Sequence, residues 1–220
     1  ADALNENLVE KVDVFFYDEK GEKCVFYPSE SEIQYNSETG SVEITIPQDK
    51  VVDVLGHVLT IYVVANSKQV FDPEGKTLKQ LQETEYSNSE TFNSNPFAAQ
   101  SSFLMDGKLE KVSISSSGAS TLPTLLLQRA AAKIDVKIHN AQVNGYVAKS
   151  AEVRLSNYLD KTTLGSDADY YKAAKIEYMS SGYRPINLPG KPVQDEGTFY
   201  SYENDWEFDA VVESYIVIAV

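Results

Sequence analysis

Two histidines, His57 and His139, and one cysteine, Cys24, are the whole supply of imidazole and thiol groups in this 220-residue chain. A nucleophile–base pair needs a histidine beside a serine or cysteine. His57 directly precedes an apolar stretch and His139 closes another, which reads both as structural. Zinc asks for a cluster of cysteines and histidines that this supply cannot fill. Asp167 and Asp169, in "GSDADYY", have the D-x-D spacing a calcium site uses, without the further oxygen ligands of a recognisable loop. Carboxylates are too numerous for spacing alone to single out a glycosidase pair. Neither a Gly-rich phosphate cradle nor a dinucleotide fingerprint occurs. The expectation is a chain that is not an enzyme, with no catalytic, cofactor-binding or metal-binding residues.

The bulk properties narrow the partners. The formal net charge is −14, of which residues 1–122 carry −11 and the rest −3. Such a surface opposes nucleic acid and anionic membranes, which both call for Lys/Arg patches. A single cysteine forms no intramolecular disulfide. No signal peptide is read in these residues and no apolar run reaches about 18 residues, so the expectation is either a cytoplasmic protein or a mature, processed or engineered chain. The opening "ADALNENLVE" lacks an initiator Met, which leans toward processing.

The elements that would position any site are strands. Fourteen Tyr and nine Phe against one Trp favour a pleated, half-buried surface. Val12–Tyr17 alternates as a strand, "DEKGEK" is a polar turn, and Cys24–Tyr27 returns as the second arm of a hairpin. Val42, Ile44 and Ile46 form a strand with one wet face, stopped by Pro47. Leu59–Ala65 is apolar on both faces, which predicts a central or doubly covered strand ending at the turn formers Asn66 and Ser67. Lys76–Glu83 predicts a short helix capped by Thr77, with Leu78 and Leu81 inward. Residues 84–101 read as an exposed loop. Lys108–Ser115 reads as a strand with Leu109 facing opposite to Val112 and Ile114. In Thr124–Asn140, strict alternation of Ile134, Val136 and Ile138 outweighs the alanine run, predicting one long strand or two meeting near Arg129–Ala131. Ala151–Leu155, Thr198–Tyr202 and Val211–Val220 are further strands. The stretches 160–174 and 183–197 are connections, and the last strand needs a partner on each side.

"VDVFFYDEKGE", "LTIYVVAN", "GKTLKQL", "FLMDGK" and "LLLQRAAAKIDVKI" occur in this order between Val12 and Ile138. As an ordered set they resemble the FimA/Mfa1-type fimbrillins of Bacteroidales, and "GTFYSYEN" and "ESYIVIAV" match the family's second half more loosely. The resemblance implies an all-β fold of two transthyretin-like β-sandwich domains in tandem, residues 1–128 and 129–220. It also implies an exported outer-membrane lipoprotein precursor, trimmed by a maturation protease and polymerised on the cell surface by strand exchange with other pilus subunits. Family members continue beyond the strand that ends here at Val220, so the second sandwich is expected to lack its last strands.

Function follows as strand pairing rather than catalysis: a structural subunit of a fimbria supporting adhesion to host or bacterial surfaces. The alternative is a surface glycan-binding β-sandwich, using exposed rings such as Tyr170, Tyr171 and Tyr183. An unrecognised hydrolase is a third class.

Overall fold

The computed structural model describes residues 7–87, 102–116, 120–166, 177–191, 197–202 and 213–220. In chain order its elements are β1 (Val12–Asp18), β2 (Cys24–Phe26), β3 (Ile33–Asn36), β4 (Ser41–Ile44), α1 (Val51–Val54), β5 (Val58–Ala65), α2 (Leu78–Gln82), β6 (Glu85–Ser87) and β7 (Met105–Ser113). They continue with β8 (Gln128–Arg129), β9 (Ala131–Asp135), β10 (Gln142–Val143), β11 (Tyr146–Val147), β12 (Glu152–Tyr158), β13 (Lys161–Thr163), β14 (Met179–Ser180), β15 (Arg184–Pro185), β16 (Thr198–Tyr202) and β17 (Tyr215–Ala219). The protein is built from β-sheet. Its chain divides into two compact units: Ala1–Tyr86 with Ser101–Ala130 and Thr163–Asp169, and Ser87–Gln100 with Ala131–Thr162 and Tyr170–Val220.

The first unit is organised on an antiparallel sheet of order β2-β1-β5-β7-β8. β1 and β5 pair along their whole length, from Val12 opposite Ala65 to Asp18 opposite Leu59, and β5 pairs β7 on its other edge. Both strands are buried on both faces, which is why neither shows a polar alternation. The expected hairpin forms between β1 and β2, with Phe16 opposite Phe26. On one face Val12, Val14, Phe16, Leu59, Ile61, Met105 and Val112 build a core. On the other, Phe15 stacks on Tyr27 at 4.7 Å and meets Phe71 edge-on at 5.3 Å. Leu78 and Leu81 of α2 are buried outside the first core. The helix is shorter than expected, but Thr77 caps it as anticipated: its hydroxyl accepts from Gln80 N and the Gln80 side chain accepts from Thr77 N.

Where the strands depart from the expected ones, or choose between two expected forms, the causes are local. β7 carries a bulge: Leu59 faces Val112 while Ile61 faces Leu109, and Lys111 sits at φ 55°. The extra residue reverses the alternation, so Leu109 joins Val112 on the same core instead of facing away from it. Thr124–Asn140 takes the second of its two expected forms: it breaks at Ala130, whose N–H turns to Leu104 O, giving two short strands that meet within Arg129–Ala131. β3 pairs with β4, and β6 opens the expected loop 84–101, whose remainder from residue 88 lies outside the described residues.

The second unit centres on β12, which pairs β14 and β15 on one edge and β17 on the other. β16 pairs β9, from Thr198 opposite Asp135 to Tyr202 opposite Ala131. Val153, Leu155, Leu159, Ile186, Leu188 and Phe199 are buried here. The buried Arg184 guanidinium lies 3.8 Å over the Phe199 ring and donates to Thr198 O. β10 and β11 form a hairpin on Asn144-Gly145, at φ 51° and 82°, the two positive values such a two-residue turn needs.

Candidate assembly interface

The core face of the first sheet is covered by several short pieces, α1 with its buried Val54 among them. Opposite its five strands stands the β3–β4 hairpin, whose Ile33, Tyr35, Val42 and Ile44 remain half-buried. Leu122, Leu125 and Leu127 fill in beside it, also half-exposed, while Leu126 is 85 % exposed. This leucine segment crosses β7 so closely that a Cβ on Gly107 would come 2.5 Å from Leu126 O. Only glycine admits that approach. The sheet edges are short: three residues in β2 and two in β8.

At one end of the sheet β5 stops because Asn66 adopts φ 62°, a left-handed conformation that asparagine tolerates better than other side chains. The Asn66 side chain then bonds to two neighbouring segments. Its Oδ1 accepts from Glu10 N at 2.8 Å, and its Nδ2 donates to Leu8 O and to Phe103 O, each at 2.8 Å. Close by along β1, the buried Asp13 accepts from the Tyr27 hydroxyl at 3.0 Å on one oxygen and faces Lys11 Nζ at 3.2 Å on the other. Burial first, and the Asp13 carboxylate second, push the Tyr27 phenol above the ordinary tyrosine range.

A short strap closes the opposite face. Leu164, 1 % exposed, donates its N–H to Thr84 O at 3.0 Å, and Gly165 donates to Gln82 O at 3.0 Å. Ser166 N donates to Asp106 Oδ1 at 3.1 Å, while Asp106 Oδ2 accepts from the buried Tyr62 hydroxyl at 3.2 Å. A Cβ at Gly165 would meet the Gln82 Cβ at 2.7 Å, so the strap lies flat on the end of α2.

In the second unit β17 has one free edge: beyond β12 it pairs no strand among the described residues. Its Tyr215 and Ile218 are 49 % and 47 % exposed. The second partner expected for this strand is therefore not among the described residues.

The chemically versatile residues are scattered. His57 is exposed, with Nε2 3.1 Å from Val52 O, in the first unit. His139, also exposed, borders a shallow groove of about 380 Å³ in the second, lined by Val136, Ile138, Ile186 and Leu188. Cys24 lies on the edge strand β2, its thiol donating to Phe26 O at 3.6 Å and pushed up to about 11 chiefly by burial. Asp167, Asp169, Tyr170 and Tyr171 lie outside the described residues. Tyr183 is 44 % exposed, with the Arg154 guanidinium 4.9 Å over its ring. The Asn66 clasp and the Leu164 strap did not emerge from the sequence reading, since both depend on partners far along the chain.

Comparison with known proteins gives this arrangement a context. No curated protein matches the chain. Among solved structures, a candidate cell-adhesion protein from Parabacteroides distasonis superposes with a TM-score of 0.58 at 16 % identity, covering 99 % of this chain and 69 % of that one. The tip fimbrial protein Mfa3 from Porphyromonas gingivalis, in a C-terminally truncated form, gives 0.51 at 14 % identity, covering 88 % of this chain and 62 % of that one. At such identities these likenesses establish the fold alone. The family model of the major fimbrial subunit protein, FimA, matches residues 1–171. With that match spanning most of its length, the chain belongs to the FimA major fimbrial subunit family.

Proposed function

We propose that the chain is a structural subunit of a cell-surface fimbria, assembled by strand exchange with other subunits after proteolytic trimming, and that the fimbria supports adhesion. In this reading the chain folds as two transthyretin-like sandwiches in tandem, meeting near residues 128–131, and the precursor is an outer-membrane lipoprotein. The observation that carries the reading is the piecemeal cover of the first core: α1, one two-stranded hairpin and half-exposed leucines face a five-stranded sheet. An added strand would bury the half-exposed residues of that cover and pair backbone groups at a short edge, the two gains that drive strand addition. Tyr183 does not favour the glycan-binding alternative, because Arg154 already occupies one face of its ring.

The test is assembly of the full-length precursor. Treated with a trimming protease, it yields filaments by electron microscopy and heat-sensitive ladders on gels. Trimmed protein that stays monomeric by light scattering refutes the reading.

A further inference from the structure

The Asn66 amide does more than end a strand. It accepts from Glu10 N and donates to Leu8 O, the backbone groups on either side of Val9. A residue in a parallel ladder bonds its neighbour in the same manner, reaching the residues before and after its opposite number. The side chain thus stands in for a strand peptide where β5 has turned away. Its second N–H goes to Phe103 O, so both donors and the carbonyl of the amide are engaged. Among the described residues no other hydrogen bond or ion pair holds residues 7–10. Val9 adds a half-buried contact with the first core. The ladder that begins at Val12 is separate and complete without them.

We propose that Asn66 is the release catch of the N-terminal segment Leu8–Glu10. The segment lies strand-like on the core but is fastened by one side chain instead of a ladder, so it comes away without disturbing β1. Its departure uncovers the place of Val9 on the first core. That consequence rests on the strand-exchange reading, because the vacated place is one an incoming subunit's strand can fill. The catch itself does not depend on it.

The experiment is hydrogen exchange by mass spectrometry on the full chain with two substitutions. Asn66→Gly keeps the left-handed turn and deletes the amide. Asn66→Asp keeps the acceptor for Glu10 N but sets a carboxylate against the carbonyls of Leu8 and Phe103. In both, the Glu10 amide, whose N–H is the one in this segment given to Asn66, is expected to exchange at least tenfold faster, while those from Val14 onward in β1 and throughout β5 keep their parental rates. Parental exchange at Glu10 in Asn66→Gly overturns the catch, as does uniform acceleration of the whole sheet. Assembly of the same variants after trimming reads the earlier proposal separately: faster exchange at Glu10 with no filaments from variant or parent leaves the catch standing and removes strand exchange.

Discussion

Leu164→Ala tests how the first unit is sealed. The side chain is 1 % exposed and sits in a strap whose three successive backbone N–H groups bond to Thr84 O, Gln82 O and Asp106 Oδ1. Alanine preserves all three bonds, so the loss is one of packing. Truncating a buried leucine costs about 2–5 kcal/mol, with the upper part of the range where the site cannot collapse. The strap has little room to follow, since Gly165 already presses on Gln82, which puts the expected loss at about 3 kcal/mol. At roughly 2–4 °C per kcal/mol for a chain of this length, the melting temperature falls by roughly 6–12 °C. Circular dichroism measures the melt, and hydrogen exchange assigns it to β5 and β7 because two units need not unfold together. Leu126→Ala, at a position 85 % exposed, is the control and stays within about 0.5 kcal/mol. A Leu164→Ala protein melting within a degree of the parent, or losing protection only in β12 and β17, refutes the reasoning.

Two further outcomes follow from local chemistry. Thr77→Ala removes the hydroxyl that receives Gln80 N and costs about 1 kcal/mol in urea unfolding, whereas Thr77→Ser retains most of it; equal losses in the two variants discard the capping account. Cys24, with its thiol pushed up to about 11 against an ordinary 9.0, alkylates about 100-fold more slowly than an unhindered thiol at pH 8, and a rate equal to that of the unfolded chain contradicts the burial. The unfolded chain sheds this proton first, so the linked stability is intact below about pH 9 and is lost as pH rises through about 11. Tyr17 and Tyr27, both raised by burial, pull stability the same way at still higher pH.

Local pattern recovered what local forces decide. β1, β5 and the Thr77 cap were legible because runs of β-branched and aromatic residues closed by turn formers, and a hydroxyl three residues from its partner, are written within a few positions. The Asn-Gly pair at 144–145 was equally legible and its hairpin went unread, although it is the strongest short hairpin signal. The bulge at Lys111 leaves no mark in residue types, because a lysine at φ 55° looks like any exposed lysine. Leu164 is the only strongly apolar residue in "DKTTLGSD", and its burial depends on Thr84 and Gln82, some eighty residues earlier. Asn66 was read correctly as a turn former, but its partners Leu8 and Glu10 lie 58 and 56 positions away. What was missed is what the tertiary fold supplies.

The strap also fixes an order of events. The first unit needs Thr163–Asp169, but the intervening stretch Ala131–Thr162 belongs to the second. During synthesis at about 5–20 residues per second, those 32 residues take roughly two to six seconds to emerge. Through that interval the nascent chain lacks the leucine that fills its pocket and the amide that meets Asp106. The amino-terminal half cannot finish folding before translation has moved well past it. A ribosome stalled before Leu164 therefore holds an open first unit, a state for chaperones to meet while the chain is still pliable.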